Sequence, residues 1–186
     1  MRVSHSDTHI DTSARNDARA ALADLQRLVL AKLDSAGEVE EFERFEREVH
    51  ALFVTAEREV LGDGLSRLDV DLPSVVIEGR VHRRVLRNTE TYTSAVGPVT
   101  VARTLYRQSK AHAAVVPLEL RAGIIAGHWT PLAARQGAYL VAHLTPQDSE
   151  NALRELGNMT PSKSSLDRLA KGLSHAWEGQ REGFEG

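Results

Sequence analysis

Residues 130–177 of this chain have the sequence TPLAARQGAYLVAHLTPQDSENALRELGNMTPSKSSLDRLAKGLSHAW. Thr-Pro occurs in it three times, at Thr130-Pro131, Thr145-Pro146 and Thr160-Pro161. A threonine can cap the orphan amides of a first helical turn, and proline is tolerated at the first helical position because its missing N–H would have no partner there. We therefore predict three helices, each opened by Thr-Pro, with Gly157 closing the second in a left-handed conformation.

The third predicted helix has two faces of opposite character. Apolar side chains recur at helical spacing on one face, at Leu166, Leu169, Ala170, Leu173 and Trp177. Polar and basic side chains recur on the other, at Ser164, Arg168, Lys171 and His175. A short helix, a turn containing glycine and a second helix with a basic outer face form the pattern of a DNA-binding helix-turn-helix. An ordinary helical hairpin with a solvated outer face has the same spacing, so the pattern leaves both interpretations open.

The formal net charge of −3 on the 186-residue chain is unevenly distributed. Residues 1–78 carry 9 Lys/Arg against 17 Asp/Glu, residues 79–121 carry 8 against 2, and residues 122–186 carry 6 against 7. The basic middle segment is therefore a candidate for phosphate contact, which the whole-chain balance conceals.

Composition also limits the class of protein. Because the chain has no cysteine, disulfides and thiolate metal sites are excluded, which suits a reducing cytoplasm. No apolar run approaches the length of a membrane span, and residues 1–13 lack the apolar core of a signal peptide. The eight histidines show no ligand spacing with a carboxylate partner. We expect a cytoplasmic protein that binds no membrane, metal or cofactor.

The N-terminal part is predicted to be a mobile tail, residues 1–13, followed by a helical hairpin, residues 14–72. The apolar face of the first helix is formed by Ala18, Leu22, Leu25, Val29 and Leu33. We predict the second helix over residues 39–61, with Gly62-Asp63-Gly64 ending it. Its apolar seam is formed by Phe42, Phe45, Val49, Leu52 and Ala56. This seam is either the core of one hairpin or a homodimer interface.

Residues 73–112 are predicted to form a small antiparallel β meander of three or four strands, because β-branched residues become frequent there. The expected strands are 75–77, 81–86, 91–96 and 99–105, with Gly97-Pro98 as the last turn. Five basic side chains could line one exposed face, with Arg83 and Arg87 nearby: Arg80, His82, Arg84, Arg103 and Arg107. Such a face can follow a phosphate backbone, although edge strands also carry basic residues to prevent aggregation.

Residues 113–186 are predicted to be a helical, helix-turn-helix-like region. A short helix over residues 117–126 is expected to end at Gly127. A helix over residues 131–144 is expected to have one face formed by Leu132, Gln136, Tyr139, Leu140 and His143. It would support the two later helices in a tri-helical unit. The predicted fold class is thus α+β and mostly α, with an N-terminal helical hairpin, a β meander and this C-terminal unit.

Five ordered motifs carry a resemblance to a known family. They are GPVTVARTLYR at 97–107, VPLELRAG at 116–123, TPLAARQ at 130–136, AHLTP at 142–146 and ELGNMTPSKSSLDRL at 155–169. Together they resemble the N-terminal region of insertion-sequence transposases of the ISKra family. The resemblance spans about residues 75–185, whereas the hairpin before residue 72 shares only the general character of that region.

In such transposases this region precedes a catalytic domain whose acidic residues bind divalent metal and cut DNA. The resemblance therefore implies a partner, double-stranded DNA at transposon ends. We expect this chain to end before the catalytic domain, and we predict no catalytic residue in it because two-metal chemistry needs several converging carboxylates. The predicted DNA contacts are Lys163, Ser164, Ser165, Arg168, Lys171 and His175, supported by Arg80, Arg84, Arg103 and Arg107.

Two rival interpretations remain open. In the first, the N-terminal hairpin is a homodimerisation module and the rest of the chain is a platform for a protein partner, or a repurposed transposase fragment that regulates through DNA binding. In the second, the chain is itself a metal-dependent nuclease whose catalytic residues have no recognisable spacing.

Overall fold

The computed structural model describes residues 12–34 and 42–182. In chain order the elements are α1 (Thr12–Asp34), α2 (Phe42–Ser66), β1 (Ser74–Ile77), β2 (Arg80–Ser94), β3 (Gly97–Arg107), α3 (Pro117–Ala122), α4 (Pro131–His143), α5 (Pro146–Leu156) and α6 (Lys163–Glu182). The strands form one sheet in the order β1-β2-β3. The predicted class, α+β and mostly α with a small antiparallel meander, is confirmed. Residues 1–11 of the predicted tail lie outside the described residues, and Thr12 and Ser13 begin α1.

The chain divides into two compact units. Unit 1 contains the described part of residues 1–89 together with Val101–Leu118, and unit 2 contains Glu90–Thr100 together with residues 119–182. Both β2 and β3 therefore contribute residues to both units. This division runs through the meander, whereas we placed the boundaries after residues 72 and 112.

Helices α1 and α2 pack as the predicted hairpin of unit 1. Lys32, near the end of α1, forms an ion pair with Glu48 in the second turn of α2. The predicted end of the second helix is wrong, because α2 continues through Gly62-Asp63-Gly64 to Ser66. A glycine costs only about 1 kcal/mol inside a helix, and Asp63 pairs with Arg67 one turn later.

The meander has three strands because β2 is one continuous strand of 15 residues that joins two predicted strands. Strand β1 pairs antiparallel with β2, from Ser74 opposite Arg83 to Ile77 opposite Arg80. The two turn residues between them, Glu78 and Gly79, have positive φ angles of 51° and 75°, as a two-residue hairpin turn of the primed class requires. The next turn consists of Ala95 and Val96, so our prediction of Gly97-Pro98 was two residues late.

The segment between α2 and β1 is anchored to β3 within unit 1. Asp69 accepts hydrogen bonds from the backbone N of Thr104 (2.9 Å) and from Thr104 Oγ1 (3.0 Å). Tyr106 is fully buried, and its hydroxyl lies 2.6 Å from the carbonyl oxygen of Val70 and 2.9 Å from that of Leu72. The chain path from hairpin to sheet is therefore fixed by polar contacts as well as by apolar packing.

Unit 2 is built around one apolar core. Its fully or almost fully buried members are Trp129, Ala133, Ala134, Leu153, Met159, Leu166 and Leu169. Helix α4 buries a different face from the one we predicted, since Leu132, Gln136 and Tyr139 are exposed. The reason is close helix packing: a Cβ on buried Gly137 would lie only 2.9 Å from Leu169 Cδ2. Small residues thus form the closest contact, Leu140 and Val141 pack against the same core, and Leu132, Gln136 and Tyr139 point outward.

The helix ends in unit 2 follow the prediction in part. Helix α5 begins after Thr145, whose Oγ1 accepts the amide of Asp148 at 3.2 Å. Gly157 has a φ of −110°, so it is not left-handed; Asn158, at 51°, takes that conformation. Helix α6 begins at Lys163, two residues later than predicted, because the hydroxyl of Ser162 accepts the amide of Ser165 at 3.2 Å.

The short helix α3 ends at Ala122 and is followed by Gly123, whose φ is 66°. Our prediction that it would reach Gly127 was therefore wrong. None of the described helices is long and apolar enough to cross a membrane.

Candidate nucleic-acid interface

Helix α6 is held in unit 2 by its apolar side. Leu166 and Leu169 have no exposed surface, and Leu173 packs against the same core. Ala170, which we predicted on this side, is exposed, and the side chain of Trp177 lies outside the described residues. The buried pair at Leu166 and Leu169 fixes which side of α6 is turned away from the core.

We define the α6 outer face as the exposed residues Ser164, Arg168 and Lys171. At about 100° per residue, these three lie within about 60° of one another around the helix. Arg168 Nε donates to the carbonyl oxygen of Ser164 at 3.2 Å, which holds the guanidinium along the helix surface. Among the side chains that the structure describes, no carboxylate forms an ion pair with Arg168 or Lys171. Two cations on this face are thus open to a negatively charged partner.

The first turn of α6 is bound to α5 through a carboxylate. Glu150 Oε2 accepts the backbone N–H of Lys163 at 3.0 Å, and Glu150 Oε1 accepts from Arg154 at 2.8 Å. The side chain of Lys163 is exposed, as predicted for a contact residue. A carboxylate at this end of a helix is stabilised by the helix dipole, so Glu150 both orients α6 and adds a negative charge beside its start.

Ser165 does not lie on the α6 outer face, although we predicted it among the DNA contacts. It is 8% exposed, and its Oγ lies 3.0 Å from Nε2 of His128. The other ring nitrogen of His128, Nδ1, lies 3.0 Å from the carbonyl oxygen of Ala126. This pair links the start of α6 to the segment before α4, so Ser165 has a role in packing. The side chain of His175 lies outside the described residues.

The four strand arginines differ in how accessible their charges are. Arg80 is exposed, while Arg103 and Arg107 are half-buried. His82, predicted on the same exposed face, is buried, and its Nδ1 lies 3.0 Å from the carbonyl oxygen of Arg80. Arg84 Nη1 lies 2.8 Å from Asp71 Oδ1, so its charge is partly compensated. All four belong to unit 1, whereas α6 belongs to unit 2. We therefore treat the strand arginines and the α6 outer face as separate candidate surfaces.

Sequence reasoning missed the acidic residues that pair with these cations. Arg87 lies 3.2 Å from Asp71 and 3.7 Å from Asp69, but we counted both aspartates in the acidic N-terminal segment. Their position directly before the first basic strand was the available signal, because neighbouring segments of opposite charge tend to pair. Glu150 pairs with Arg154 four residues later, a spacing visible in the sequence, whereas its contact with the backbone amide of Lys163, 13 residues away across a turn, gave no such signal.

No group of three or more His, Asp or Glu side chains within the described ranges is arranged to hold a metal ion. No family model, curated protein or solved structure matches this chain.

Proposed function

We propose that the tri-helical unit of α4, α5 and α6 binds double-stranded DNA, with the α6 outer face in the major groove. We further propose that the chain is the DNA-binding N-terminal portion of an insertion-sequence transposase and recognises transposon ends. One observation carries the first proposal: α6 buries Leu166 and Leu169 completely while Arg168 and Lys171 stay exposed and unpaired with any described carboxylate.

The dimensions of α6 support this arrangement. The helix has 20 residues, which gives a length of about 30 Å, and the major groove is wide enough to admit one helix. Arginine can donate two parallel hydrogen bonds to a guanine edge, and lysine can contact guanine or phosphate. Ser164, one turn before Arg168 on the same face, is suited to a phosphate oxygen.

The connection between α5 and α6, residues 157–162, is longer than the three or four residues of a compact helix-turn-helix. It is nevertheless fixed in place. Met159 is fully buried in the unit 2 core, and Pro161 is buried as well. The backbone N of Gly157 donates to the carbonyl oxygen of Leu153 at 3.0 Å. A turn anchored in this way can hold α6 at one angle to α5, which recognition of a groove requires.

In this proposal the strand arginines supply secondary phosphate contacts. Arg80 is the most accessible of them, and Arg84 would first have to exchange its contact with Asp71 for one with phosphate. The transposase assignment depends on the motif resemblance, which includes Ser164 and Arg168 but not Lys171. We assign no catalytic step to this chain, and we place it in the bacterial cytoplasm, where its DNA would be.

The test is a DNA-binding titration that compares two matched variants with the wild type. One is Arg168→Ala/Lys171→Ala on α6. The control is Arg44→Ala/Arg47→Ala on α2, which removes the same charge from two exposed arginines. The probes are a labelled duplex from the ends of the element that encodes the chain and a scrambled duplex of equal length, measured by fluorescence anisotropy at several salt concentrations.

We expect the α6 variant to lose about 1–3 kcal/mol on the cognate duplex for each paired guanine contact. If both side chains contact only phosphate, the variant instead weakens binding to both duplexes alike and lowers the slope of log K against log salt by roughly 2. The α2 control should bind as the wild type does. Equal binding by wild type and the α6 variant would reject this use of α6.

A further inference from the structure

The hairpin of α1 and α2 leaves an unusual amount of apolar surface exposed. Seven large side chains on it are between 41% and 69% exposed. One is Leu28, and the other six are Leu22, Leu30, Leu33, Phe42, Phe53 and Val60. Three of them, Leu22, Leu33 and Phe42, are positions that we predicted to face the helix partner. Scattered exposed leucines need no explanation, but a contiguous apolar patch indicates a binding surface.

Helix geometry places these six residues on one side of the hairpin. At about 100° per residue, Leu22, Leu30 and Leu33 lie roughly 40–120° around α1 from its contact side at Ala18, Leu25 and Val29. The contact side of α2 is formed by Phe45, Val49, Leu52 and Ala56. The exposed Phe42, Phe53 and Val60 lie roughly 50–70° around α2 from that side, rotated in the same sense as on α1.

The two helices of a hairpin run in opposite directions. When each helix is viewed along its own chain direction, both exposed apolar sets are rotated in the same sense from the contact side. In an antiparallel pair this puts the apolar stripe of α1 and the apolar stripe of α2 on the same side, or flank, of the hairpin. We call the six residues together the hairpin flank. The opposite flank of α1 carries Leu28, which is 44% exposed.

The area of the hairpin flank fits association with another helical pair. A large side chain exposes about 150–250 Å² at most, so six that are roughly half exposed present on the order of 500 Å² of apolar surface. Two such flanks in contact would remove on the order of 1,000 Å² from water, which is about the minimum for a biological interface and is typical of a weak, reversible one. Two helical pairs that cover each other in this way form a four-helix bundle.

The charges that border the flank indicate which helices face each other. Next to the α2 stripe lie the exposed acidic residues Glu46 and Glu57, and beside the α1 stripe lie the exposed Arg19 near the start of α1 and the exposed Asp34 at its end. Placing α2 against α2 of a second copy would bring glutamates opposite glutamates. Because Lys32 pairs with Glu48 within one hairpin, the start of α1 is level with the end of α2. Placing α1 against α2 of the second copy therefore brings Arg19 near Glu57, although Asp34 then lies near Glu46. One attractive contact replaces a contact between like charges, which favours this arrangement over α2 against α2.

We propose that a second copy of this chain covers the hairpin flank, so that α1 of each copy packs against α2 of the other in a four-helix bundle with two-fold symmetry. The seam between α1 and α2 stays within each copy, and the dimer is formed by the flank beside it. This surface is distinct from the α6 outer face and does not depend on DNA binding.

The test is sedimentation equilibrium of the full chain across the micromolar range, with three single substitutions. Leu30→Lys and Phe53→Lys place a charge in the proposed interface. Leu28→Lys is the matched control, since Leu28 is an exposed leucine of the same helix on the other flank. Circular dichroism measures the helix content of each variant. All three sites are exposed, so the monomer fold should tolerate lysine.

We expect a wild-type dimer whose dissociation constant rises about tenfold or more in Leu30→Lys and in Phe53→Lys, with helix content retained. Leu28→Lys should associate as the wild type does. A wild-type chain that stays monomeric throughout would overturn the proposal, as would a dimer that Leu28→Lys weakens as much as Leu30→Lys does. The two flank substitutions provide independent tests, so loss of fold in one leaves the other decisive.

Discussion

The backbone amide of Lys163, at the start of α6, donates a hydrogen bond of 3.0 Å to Glu150 Oε2 on α5. Glu150 thereby satisfies one of the amides that every helix start leaves without an intrahelical partner. The same carboxylate carries a negative charge beside the proposed DNA-facing turn. It therefore stabilises the orientation of α6 and, at the same time, opposes the approach of phosphate.

Replacing Glu150 should separate these two effects. Glu150→Gln keeps an acceptor but removes the charge, so we expect tighter non-specific DNA binding with a loss in unfolding free energy below about 1 kcal/mol. Glu150→Ala removes the acceptor and should cost about 1–2 kcal/mol. Urea denaturation and anisotropy on a scrambled duplex measure the two quantities. If Glu150→Gln bound DNA no better than wild type, the first turn of α6 would not lie close to phosphate.

A second prediction concerns Asp69, whose side chain is only 5% exposed. Asp69→Ala would leave both the amide and the hydroxyl of Thr104 without their acceptor, and we expect a loss of about 2–4 kcal/mol in unfolding free energy. Asp71→Ala is the control, because Asp71 is 38% exposed and pairs at the surface with Arg84 and Arg87. It should cost less than about 1 kcal/mol. Equal losses in both variants would contradict a structural role specific to Asp69.

The third prediction concerns alkaline pH. Burial raises the pKa of Tyr106 above its ordinary value of 10.0, so the folded state resists ionisation of this hydroxyl more than the unfolded state does. Above pH 10.0 the unfolded state gains the charged form of Tyr106 first, so the free energy of unfolding falls as the pH rises towards the folded-state pKa. Below pH 10.0 this loss is absent. We expect the melting temperature to fall more steeply above that pH in wild type than in Tyr106→Phe.

At neutral pH the same Tyr106→Phe variant should be less stable than wild type by about 1–3 kcal/mol. It loses the buried hydroxyl that bonds the backbone of Val70 and Leu72, and removing one partner from such partly buried hydrogen bonds carries a cost of that size. Identical alkaline slopes in the two proteins would show that other groups account for the pH dependence.

Two glycines in helices should respond in opposite ways to a larger side chain. A Cβ on Gly137 would lie 2.9 Å from Leu169 Cδ2 and 3.5 Å from Leu166 Cδ2, so Gly137→Val should cost about 1–3 kcal/mol and displace α6. Gly64 has no atom within 4 Å of such a Cβ, and Gly64→Ala should stabilise α2 by about 0.5–1 kcal/mol. Thermal melts measure both, and a Gly137→Val protein as stable as wild type would show that α4 and α6 can separate without loss.

Local signals in the sequence were sufficient to predict the starts of α4 and α5 after Thr-Pro, although the predicted side-chain cap forms at Thr145 and not at Thr130. Helix α5 has the predicted bounds and the Thr145 cap. The start of α6 was misplaced because Ser162 competes with Thr160 as a cap, and local pattern does not decide between two good capping residues. The buried and exposed sides of α6 were largely predicted because its leucines recur at a clear helical period.

Contacts between distant residues were beyond such reasoning. The burial of Ala133, Ala134 and Gly137 follows from how closely α6 approaches α4, which is a tertiary property of both helices. The pairing of Arg84 with Asp71 follows from the path of the chain before β1. For the candidate site, residue types and the helical face were predictable, whereas the burial of Ser165 against His128 required the fold.

The distribution of β2 and β3 over both units has a practical consequence for fragments of this protein. Thr93 exchanges backbone hydrogen bonds with the strand-like segment before α4, donating to His128 at 2.7 Å and accepting from Thr130 at 3.0 Å. A piece that starts at residue 113 would lack Glu90–Thr100 and these bonds. Because unit 2 is discontinuous in sequence, a single cut cannot isolate it intact. An autonomous version would have to include Glu90–Thr100, the tip of the β2–β3 hairpin, joined to the C-terminal helices by a new linker.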